Sequence, residues 1–229
     1  MTCHAALAME QDAPPDESSD AANEGSAAHE LGALALKEDK DCPAYIGRVF
    51  AEHPDWPVTD DMAENVQVYV DYVRQHTQPG DIVMVEEKLP HGDAIGIPGE
   101  TGTGDVLIIS VARHTVKSID LKYGRSPRGR VDAEGNSQLR LYSLGALEIC
   151  KAKGIDKEID FFESHIVQPR LEHIDEETLS RDNLIAWAIK ARTAVDANKA
   201  VISYKAKNNQ VRIERFTPSA KACQWCRAK

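Results

Sequence analysis

The sequence predicts an α/β fold in which helices flank a mixed central β-sheet. Met62, Val66 and Val73 recur at helical spacing and indicate a helix over residues 59–77. Three β-type segments follow this helix, over residues 81–89, 103–111 and 115–122. With the later elements, the order is helix, three strands, helix, strand, helix, which indicates one mixed α/β domain.

The elements on either side of these strands complete the order. Leu31 and Leu34 supply apolar contacts for a helix over residues 20–38, in which Gly25 and His29 lie one turn apart. The elements expected after the three strands are a basic loop over 124–135, a helix over 136–152 that ends at Gly154, a strand over 159–168, a helix over 175–198 and a hairpin over 201–216 that turns at Asn208-Asn209.

Composition indicates a soluble globular protein, because 42% of the 229 residues are hydrophobic and 28% are charged. We expect a single domain over residues 1–229, with a polar N-terminal segment (1–22) that contains Cys3 and a basic C-terminal segment (205–229). The sequence has no apolar run of about 18 residues, as a membrane helix would need, and no secretory signal. A cytoplasmic location is therefore predicted.

The charge of the chain is uneven. The net charge is −10, yet residues 205–229 carry seven basic residues and one acidic residue. A second basic cluster follows the third β segment and comprises Lys122, Arg125, Arg128 and Arg130. Long-range attraction to DNA is weak at this net charge, whereas local contacts with phosphates are still allowed.

Two aspartates point to a metal site on the second and third strands. If these strands form a hairpin that turns at Ala112-Arg113, Asp105 and Asp120 face each other across the ladder. Carboxylates opposed at roughly 5 Å repel each other unless a positive charge lies between them. Carboxylate oxygens suit Mg²⁺ or Mn²⁺. A divalent-cation site is one interpretation, and a charged strand edge is the other.

Further polar residues have spacings that suit such a site. Lys122 lies two residues after Asp120 and faces the same side, where it could orient a water molecule and offset charge on a phosphate. Gln138 and Tyr142 share one face of the predicted helix. Taken singly, each of these residues is more typical of packing or solvation, and His29 of a hydrogen-bonded helix histidine.

Four short motifs occur in order along most of the chain: EGSAAHEL (24–31), GTGD (102–105), DLKYG (120–124) and QLRLY (138–142). Together they resemble the RecB-like branch of the PD-(D/E)XK nuclease superfamily. They are most similar to its phage-encoded exonucleases, which are similar to the CRISPR-associated RecB-like nucleases. The resemblance implies a restriction-endonuclease-like core and a metal-dependent deoxyribonuclease.

The resemblance also implies roles for single residues. The implied metal ligands are His29, Asp105, Asp120 and the carbonyl of Leu121, which would hold Mg²⁺ or Mn²⁺. The implied catalytic group is Lys122, Asp120, Asp105, Gln138 and Tyr142, with Lys122 as the catalytic lysine. The residues expected to grip DNA phosphates are Arg125, Arg128 and Arg130. Glu86, on the first strand, ranks below these residues as an extra contact.

The cysteines suggest a second cofactor. Their number, five, argues against a disulfide framework. Several relatives in the resembling family hold a [4Fe–4S] cluster, and Cys3, Cys223 and Cys226 match three of its four ligand positions. The fourth would follow Cys226, and the sequence ends at Lys229, so we expect a trimmed fragment or a natural truncation, with the cluster in the full-length parent. Half a zinc site and two ordinary thiols are the alternatives for Cys223 and Cys226.

The function implied by the resemblance is that of a metal-dependent DNA exonuclease. Such an enzyme would act in phage DNA recombination or repair, in the cytoplasm of a bacterial host, beside a phage single-strand-annealing protein. One alternative is a catalytically inactive module of the same fold that binds nucleic acid or a protein. Another is a small cysteine-ligated regulator whose acidic strands are only structural.

Overall fold

A five-stranded sheet forms the centre of the computed structural model, which describes residues 3, 5–14, 19–219, 223, 226 and 227. The strands are β1 (Ile82–Leu89), β2 (Gly102–Ser110), β3 (Thr115–Leu121), β4 (Phe161–Gln168) and β5 (His173–Ser180). They lie in chain order; β3 and β4 run parallel, and the other neighbouring pairs are antiparallel. The helices are α1 (Ala6–Glu10), α2 (Asp20–Glu38), α3 (Asp60–His76), α4 (Gly92–Ile95), α5 (Ser137–Ala152) and α6 (Arg181–Asn208).

Helices cover both faces of the sheet. On one face, α2 and α3 pack onto the sheet in a cluster that includes Leu31, Val66 and Ile108. On the other face, α5 and α6 pack in a cluster that includes Leu139 and Leu184. Burial on both faces explains the continuous apolar run of β2, since each face of that strand meets a hydrophobic layer. The predicted α/β class, a mixed sheet flanked by helices, is confirmed.

The predicted register of the β2–β3 hairpin is also confirmed. Val106 lies opposite Ile119, and Ser110 lies opposite Thr115. The connection contains His114 in the left-handed conformation, with a φ of 55°. Asp105 therefore directly precedes the first residue of β2 that pairs with β3, close to the end of β3 where Asp120 lies.

Helix α5 approaches the sheet closely at Gly145. A Cβ atom at this position would lie 2.6 Å from Cβ and 2.8 Å from the carbonyl carbon of Leu89 on β1. Asn136 starts the helix, because its side chain accepts hydrogen bonds from the backbone N–H groups of Gln138 and Leu139 at 3.0 and 3.3 Å. The cap and the glycine together fix how α5 lies on the sheet.

We expect Gly145→Ala to lower the free energy of unfolding by about 1–3 kcal/mol, because the added methyl group overpacks the contact with Leu89. At this chain length, each 1 kcal/mol lowers the melting temperature by roughly 2–4 °C. Gly25→Ala is the matched control, since Gly25 also lies within a helix but, apart from its neighbours in the chain and the backbone of its own helix, has no atom within 4 Å of its Cβ position. Equal melting temperatures of the two variants would contradict this packing.

The prediction of a helix over residues 175–198 is wrong at its start. Residues 173–180 form strand β5, which pairs antiparallel with β4 at the edge of the sheet. An edge strand tolerates charged side chains such as Asp175 and Glu177, because it meets only one neighbouring strand. Pairing with β4 thus overrides the acidic, helix-like composition.

The predicted hairpin over residues 201–216 is wrong as well. Helix α6 continues to Asn208, and Asn209 ends it with a φ of 52° and a backbone hydrogen bond to the carbonyl of Lys205 at 2.8 Å. Asparagine in the left-handed conformation ends a helix as readily as it forms a turn. The short helices α1 and α4 were not predicted. Within the described residues, no helix is both long and apolar enough to cross a membrane.

Candidate functional site

His29 of α2 and Asp105 of β2 meet at the end of the sheet. His29 Nδ1 lies 3.1 Å from Asp105 Oδ1, and Asp105 Oδ2 accepts a hydrogen bond from the backbone N–H of Leu121 at 2.7 Å. Burial lowers the pKa of His29, but the hydrogen bond and the charge of Asp105 outweigh it, so the net pKa is raised. Both oxygens of Asp105 are therefore held by neighbours from two different elements.

Glu86 of β1 completes a group of three possible metal ligands, which we call the ligand group: His29, Glu86 and Asp105. One donor atom from each lies within 4.8 Å of the other two. The β1–β2 ladder keeps one register on both sides of Glu86, since Val85 pairs with Val106 and Glu87 with Gly104. This register places Glu86 opposite Asp105, and Glu86 adopts the left-handed conformation with a φ of 57°. Non-glycine residues adopt this conformation at a cost of about 1–2 kcal/mol. This left-handed residue opposite Asp105 is the feature that sequence reasoning missed when it ranked Glu86 low.

The chemistry of the ligand group fits a divalent cation. It offers one imidazole and two carboxylates, a set that suits Mn²⁺ and also accepts Mg²⁺. Partial desolvation of the Glu86 carboxyl, and then the charge of Asp105, raise its pKa, although the side chain is exposed. A cation among these three side chains would relieve the repulsion between the two carboxylates.

Asp120 and Lys122 form a buried ion pair at the end of β3. Asp120 is 2% exposed, and its Oδ2 lies 2.7 Å from Lys122 Nζ, although this oxygen has no hydrogen bond of good geometry among the described residues. Burial, and then the charge of Asp105, raise the pKa of Asp120 to about 6 against the opposing effect of Lys122. For Lys122, burial lowers the pKa but Asp120 outweighs it, so the net pKa is raised.

A chain of side chains continues from Lys122 to helix α5. Lys122 Nζ donates to Gln138 Oε1 at 3.2 Å, and Gln138 Nε2 donates to the Tyr142 hydroxyl at 2.7 Å. Tyr142 packs against Gly102, where a Cβ atom would lie only 2.8 Å from the ring. The structure therefore brings together the residues of the Gly-Thr-Gly-Asp, Asp-x-Lys and Gln-x-x-x-Tyr motifs.

Asp120→Asn is expected to stabilise the metal-free protein at pH 7.5 by roughly 1–3 kcal/mol. Because the pKa rises from 3.8 in the unfolded chain to about 6 in the folded one, the stabilising effect of the proton is complete below pH 3.8 and is lost by pH 6. Asparagine resembles the protonated form, so its advantage should vanish near pH 4.

Urea unfolding in EDTA at both pH values measures this difference. Asp55→Asn, at an exposed position, serves as the control and should show little change at either pH. A variant at Asp120 that is less stable than the wild type at pH 7.5 would contradict the prediction.

Arg170 fixes the part of α2 that precedes His29. Its guanidinium donates to both carboxylate oxygens of Glu24 at 3.0 Å and to Asp61 of α3 at 2.9 Å. It also lies 4.2 Å from the ring centroid of Tyr123. A bidentate contact of this kind holds two elements in one geometry, so α2 is tied to the residues that follow β3 and β4.

The three arginines predicted to bind phosphates lie on the loop between β3 and α5. Arg125 pairs with Glu24 at 3.3 Å and Arg130 with Asp132 at 3.5 Å, while Arg128 is exposed on a 3₁₀ turn. Contact with DNA would require Arg125 and Arg130 to exchange a carboxylate for a phosphate.

Side chains of β4 and β5 anchor this loop, a feature that no sequence signal indicated. Gln168 is 1% exposed; it accepts from the backbone of Val131 at 2.7 Å and donates to the carbonyl of Gly129 at 3.1 Å. Two carboxylates act in the same way: Asp175 accepts from the backbone of Ala133 at 2.7 Å, and Glu177 from that of Gly135 at 2.9 Å. The loop is thus pre-organised from the far edge of the sheet.

A second set of possible ligands lies at this loop, which we call the loop-side group: Asp132, His173 and Asp175. His173 Nε2 already bonds the carbonyl of Val131 at 3.0 Å, and Asp175 holds the backbone of Ala133. These polar atoms serve to hold the loop.

A family model described as "Protein of unknown function (DUF2800)" matches residues 1–229. The chain belongs to the DUF2800 family. This DUF2800 chain is also similar to the crystal structure of LHK-Exo in complex with dAMP, with 14% sequence identity and a TM-score of 0.32 over 81% of this chain and 96% of that chain. A likeness this distant indicates no activity.

In the DUF2800 chain, the three cysteines predicted to bind a cluster lie in or near the terminal segments. Cys3 Sγ accepts a hydrogen bond from the backbone of Thr217 at 3.3 Å, which brings the N-terminal segment against the C-terminal one. Burial raises the pKa of Cys3, but backbone hydrogen bonds outweigh it and lower the net pKa. Among the described residues, Cys3, Cys223 and Cys226 do not come close enough together to form a set of possible metal ligands. Residues 220–222, 224, 225, 228 and 229, within the predicted cluster segment, lie outside the described residues.

Proposed function

We propose that this protein is a metal-dependent nuclease that hydrolyses phosphodiester bonds in DNA. One observation carries the proposal: the ligand group gathers three donor atoms within 4.8 Å of one another, beside the buried pair of Asp120 and Lys122. Buried titratable groups with shifted pKa values are typical of catalytic sites. The order of the motifs along the chain, which resembles the RecB-like branch of the PD-(D/E)XK superfamily, supports the same function.

The ligand group would hold Mn²⁺ or Mg²⁺. Asp120 and the carbonyl of Leu121, both implied by the resemblance, are the candidates to complete the coordination. When bound, such an ion polarises the scissile phosphate and lowers the pKa of a water molecule. The proposed ligand set differs from the set implied by sequence because it includes Glu86.

Lys122 would act as a hydrogen-bond donor. An ammonium group has three N–H bonds, and the contacts with Asp120 and Gln138 leave one N–H for a phosphate oxygen or the attacking water. Its raised pKa keeps it charged near neutral pH, so it would stabilise negative charge on the phosphate and not take up a proton. Gln138 and Tyr142 would orient the ammonium group.

The finer assignments rest on the sequence resemblance. We propose that the chain is one nuclease domain that degrades DNA from its ends in the cytoplasm, in phage recombination or repair, with a single-strand-annealing protein as partner. A [4Fe–4S] cluster would use Cys3, Cys223 and Cys226 together with a fourth ligand.

Hydrolysis of end-labelled linear DNA tests the proposed function. With Mn²⁺ the wild type should degrade the DNA, whereas EDTA should prevent degradation and Asp105→Asn should slow it by at least about 100-fold. A module of the same fold that only binds DNA would leave the label intact. Intact DNA with both Mn²⁺ and Mg²⁺ would refute the nuclease and favour that module.

A further inference from the structure

A cavity of about 520 Å³ opens beside the ligand group. One face of α2 lines it from His29 through Ala33 to Lys37, and Arg48 and Phe50 contribute from the segment after the helix. The volume lies within the range of roughly 300–1,000 Å³ that is typical of ligand pockets. The cavity therefore extends the site along α2, and Lys122 is not among the residues that line it.

The two ends of this cavity differ in charge. The carboxylates of Glu86 and Asp105 lie at one end, with His29. Lys37 follows His29 by two helical turns on the same face of α2, which places it roughly 12 Å further along the helix. Lys37 is exposed, and within the described part of the chain it forms no ion pair.

Aromatic rings, and not a carboxylate, hold the Arg48 side chain in place. Its guanidinium carbon lies 5.9 Å from the ring centroid of Tyr45 and 5.6 Å from that of Phe50. Its backbone N–H donates to the carbonyl of Tyr45 at 2.9 Å, and its carbonyl accepts from Val58 at 2.8 Å. Arg48 also has no ion pair within the described residues, so its planar donor fork is free to bind a phosphate.

We propose that this cavity binds the DNA strand next to the scissile phosphate, and that Lys37 and Arg48 contact its neighbouring phosphates. The inference rests on the proposed nuclease function, because the ligand group defines where the strand is cut. Lys37 and Arg48 would bind phosphates without breaking an existing ion pair, whereas Arg125 and Arg130 must first leave their carboxylates. Lys37 and Arg48 therefore contribute more to affinity for DNA than these two loop arginines.

Binding of a fluorescent single-stranded oligonucleotide, followed by anisotropy in Ca²⁺, tests this surface. Lys37→Gln and Arg48→Gln should each weaken binding about 5–10-fold, and each should reduce the slope of log K against log salt by about 0.7. Lys190→Gln is the matched control, since Lys190 is exposed on α6 and forms no ion pair among the described residues. Gel analysis after the titration confirms that the oligonucleotide is intact.

Hydrolysis of two substrates separates this subsite from the reacting centre. The p-nitrophenyl ester of thymidine 5′-phosphate has a single phosphate, so it lacks the neighbouring phosphates that Lys37 and Arg48 would contact. The two variants should hydrolyse it as fast as the wild type, while kcat/KM for the oligonucleotide falls about 10-fold. An equal loss on both substrates would overturn the proposed subsite and leave the nuclease intact.

The binding experiment tests the proposed DNA-binding surface even if the protein hydrolyses neither substrate. If Lys37→Gln and Arg48→Gln bind the oligonucleotide as tightly as Lys190→Gln does, or if the wild type does not bind it, the inference is wrong. If the two variants lose affinity but the wild type hydrolyses neither substrate, the nuclease proposal fails and the DNA-binding surface stands.

Discussion

Lys122→Met is expected to lower kcat for DNA hydrolysis by about 100–1,000-fold, while Mn²⁺ binding is retained. The ammonium group lies 2.7 Å from Asp120 and 3.2 Å from Gln138, so it is held in one position before substrate arrives. A donor that is fixed in advance needs no reorganisation when charge develops on the phosphate. Methionine keeps much of the side-chain volume and removes the charge.

Lys88→Met is the matched control for this substitution. Lys88 is an exposed lysine near the end of β1, and it should be replaceable with little change in kcat. Calorimetric titration with Mn²⁺ shows whether Lys122→Met still binds the metal. If Lys122→Met keeps the wild-type kcat at saturating Mn²⁺, the catalytic role is wrong even if the protein cuts DNA.

Glu86→Gly is expected to separate metal binding from stability. Loss of a residue that only supports a metal ligand weakens metal binding about 10–100-fold. Removal of the Glu86 carboxylate, a ligand itself, should weaken Mn²⁺ binding by at least as much. Glycine adopts the φ of 57° found at this position without steric cost. The free energy of unfolding of the metal-free protein should therefore rise by about 1 kcal/mol. If Glu86 had only a structural role, its replacement would not weaken Mn²⁺ binding while it raises the free energy of unfolding.

Glu87→Gly is the control for Glu86→Gly. Glu87 is paired with Gly104 in the regular part of the ladder, so glycine there should destabilise the strand by roughly 0.5–1 kcal/mol and leave Mn²⁺ binding unchanged. Calorimetry and urea unfolding measure both quantities. Unchanged Mn²⁺ affinity in Glu86→Gly would remove Glu86 from the ligand group.

The hairpin and its aspartates could be predicted because local rules determine them. Alternation of apolar residues sets which side chains share a face, and a four-residue connection sets the register. These rules placed Asp105 and Asp120 near each other, and the motif spacing placed Lys122, Gln138 and Tyr142 beside them.

Glu86 could not be predicted in the same way, because residues 90–101, which include α4, separate β1 from β2, so no short turn sets the register of this pair. The sequence Val85-Glu86-Glu87 contains no glycine or asparagine that would indicate a left-handed position. Regular alternation gives no reason to prefer Glu86 over Glu87 as the residue that faces Asp105.

The contacts that anchor the basic loop were missed for a related reason. Gln168, Asp175 and Glu177 bond backbone groups that lie 37 to 42 residues earlier in the chain. Such long-range contacts leave no periodic signal, and those of Asp175 and Glu177 depend on strand β5, whose acidic residues resemble the start of a helix. The pairing of β5 with β4 thus determines both the strand itself and the loop contacts of its acidic side chains.

The position of Mn²⁺ in crystals soaked with this ion, located by its anomalous scattering, is the most direct test of the proposed metal site. We predict an anomalous peak within bonding distance of the ligand group of His29, Glu86 and Asp105. A peak at the loop-side group instead, or no peak at either group, would contradict the proposed metal site and with it the mechanism.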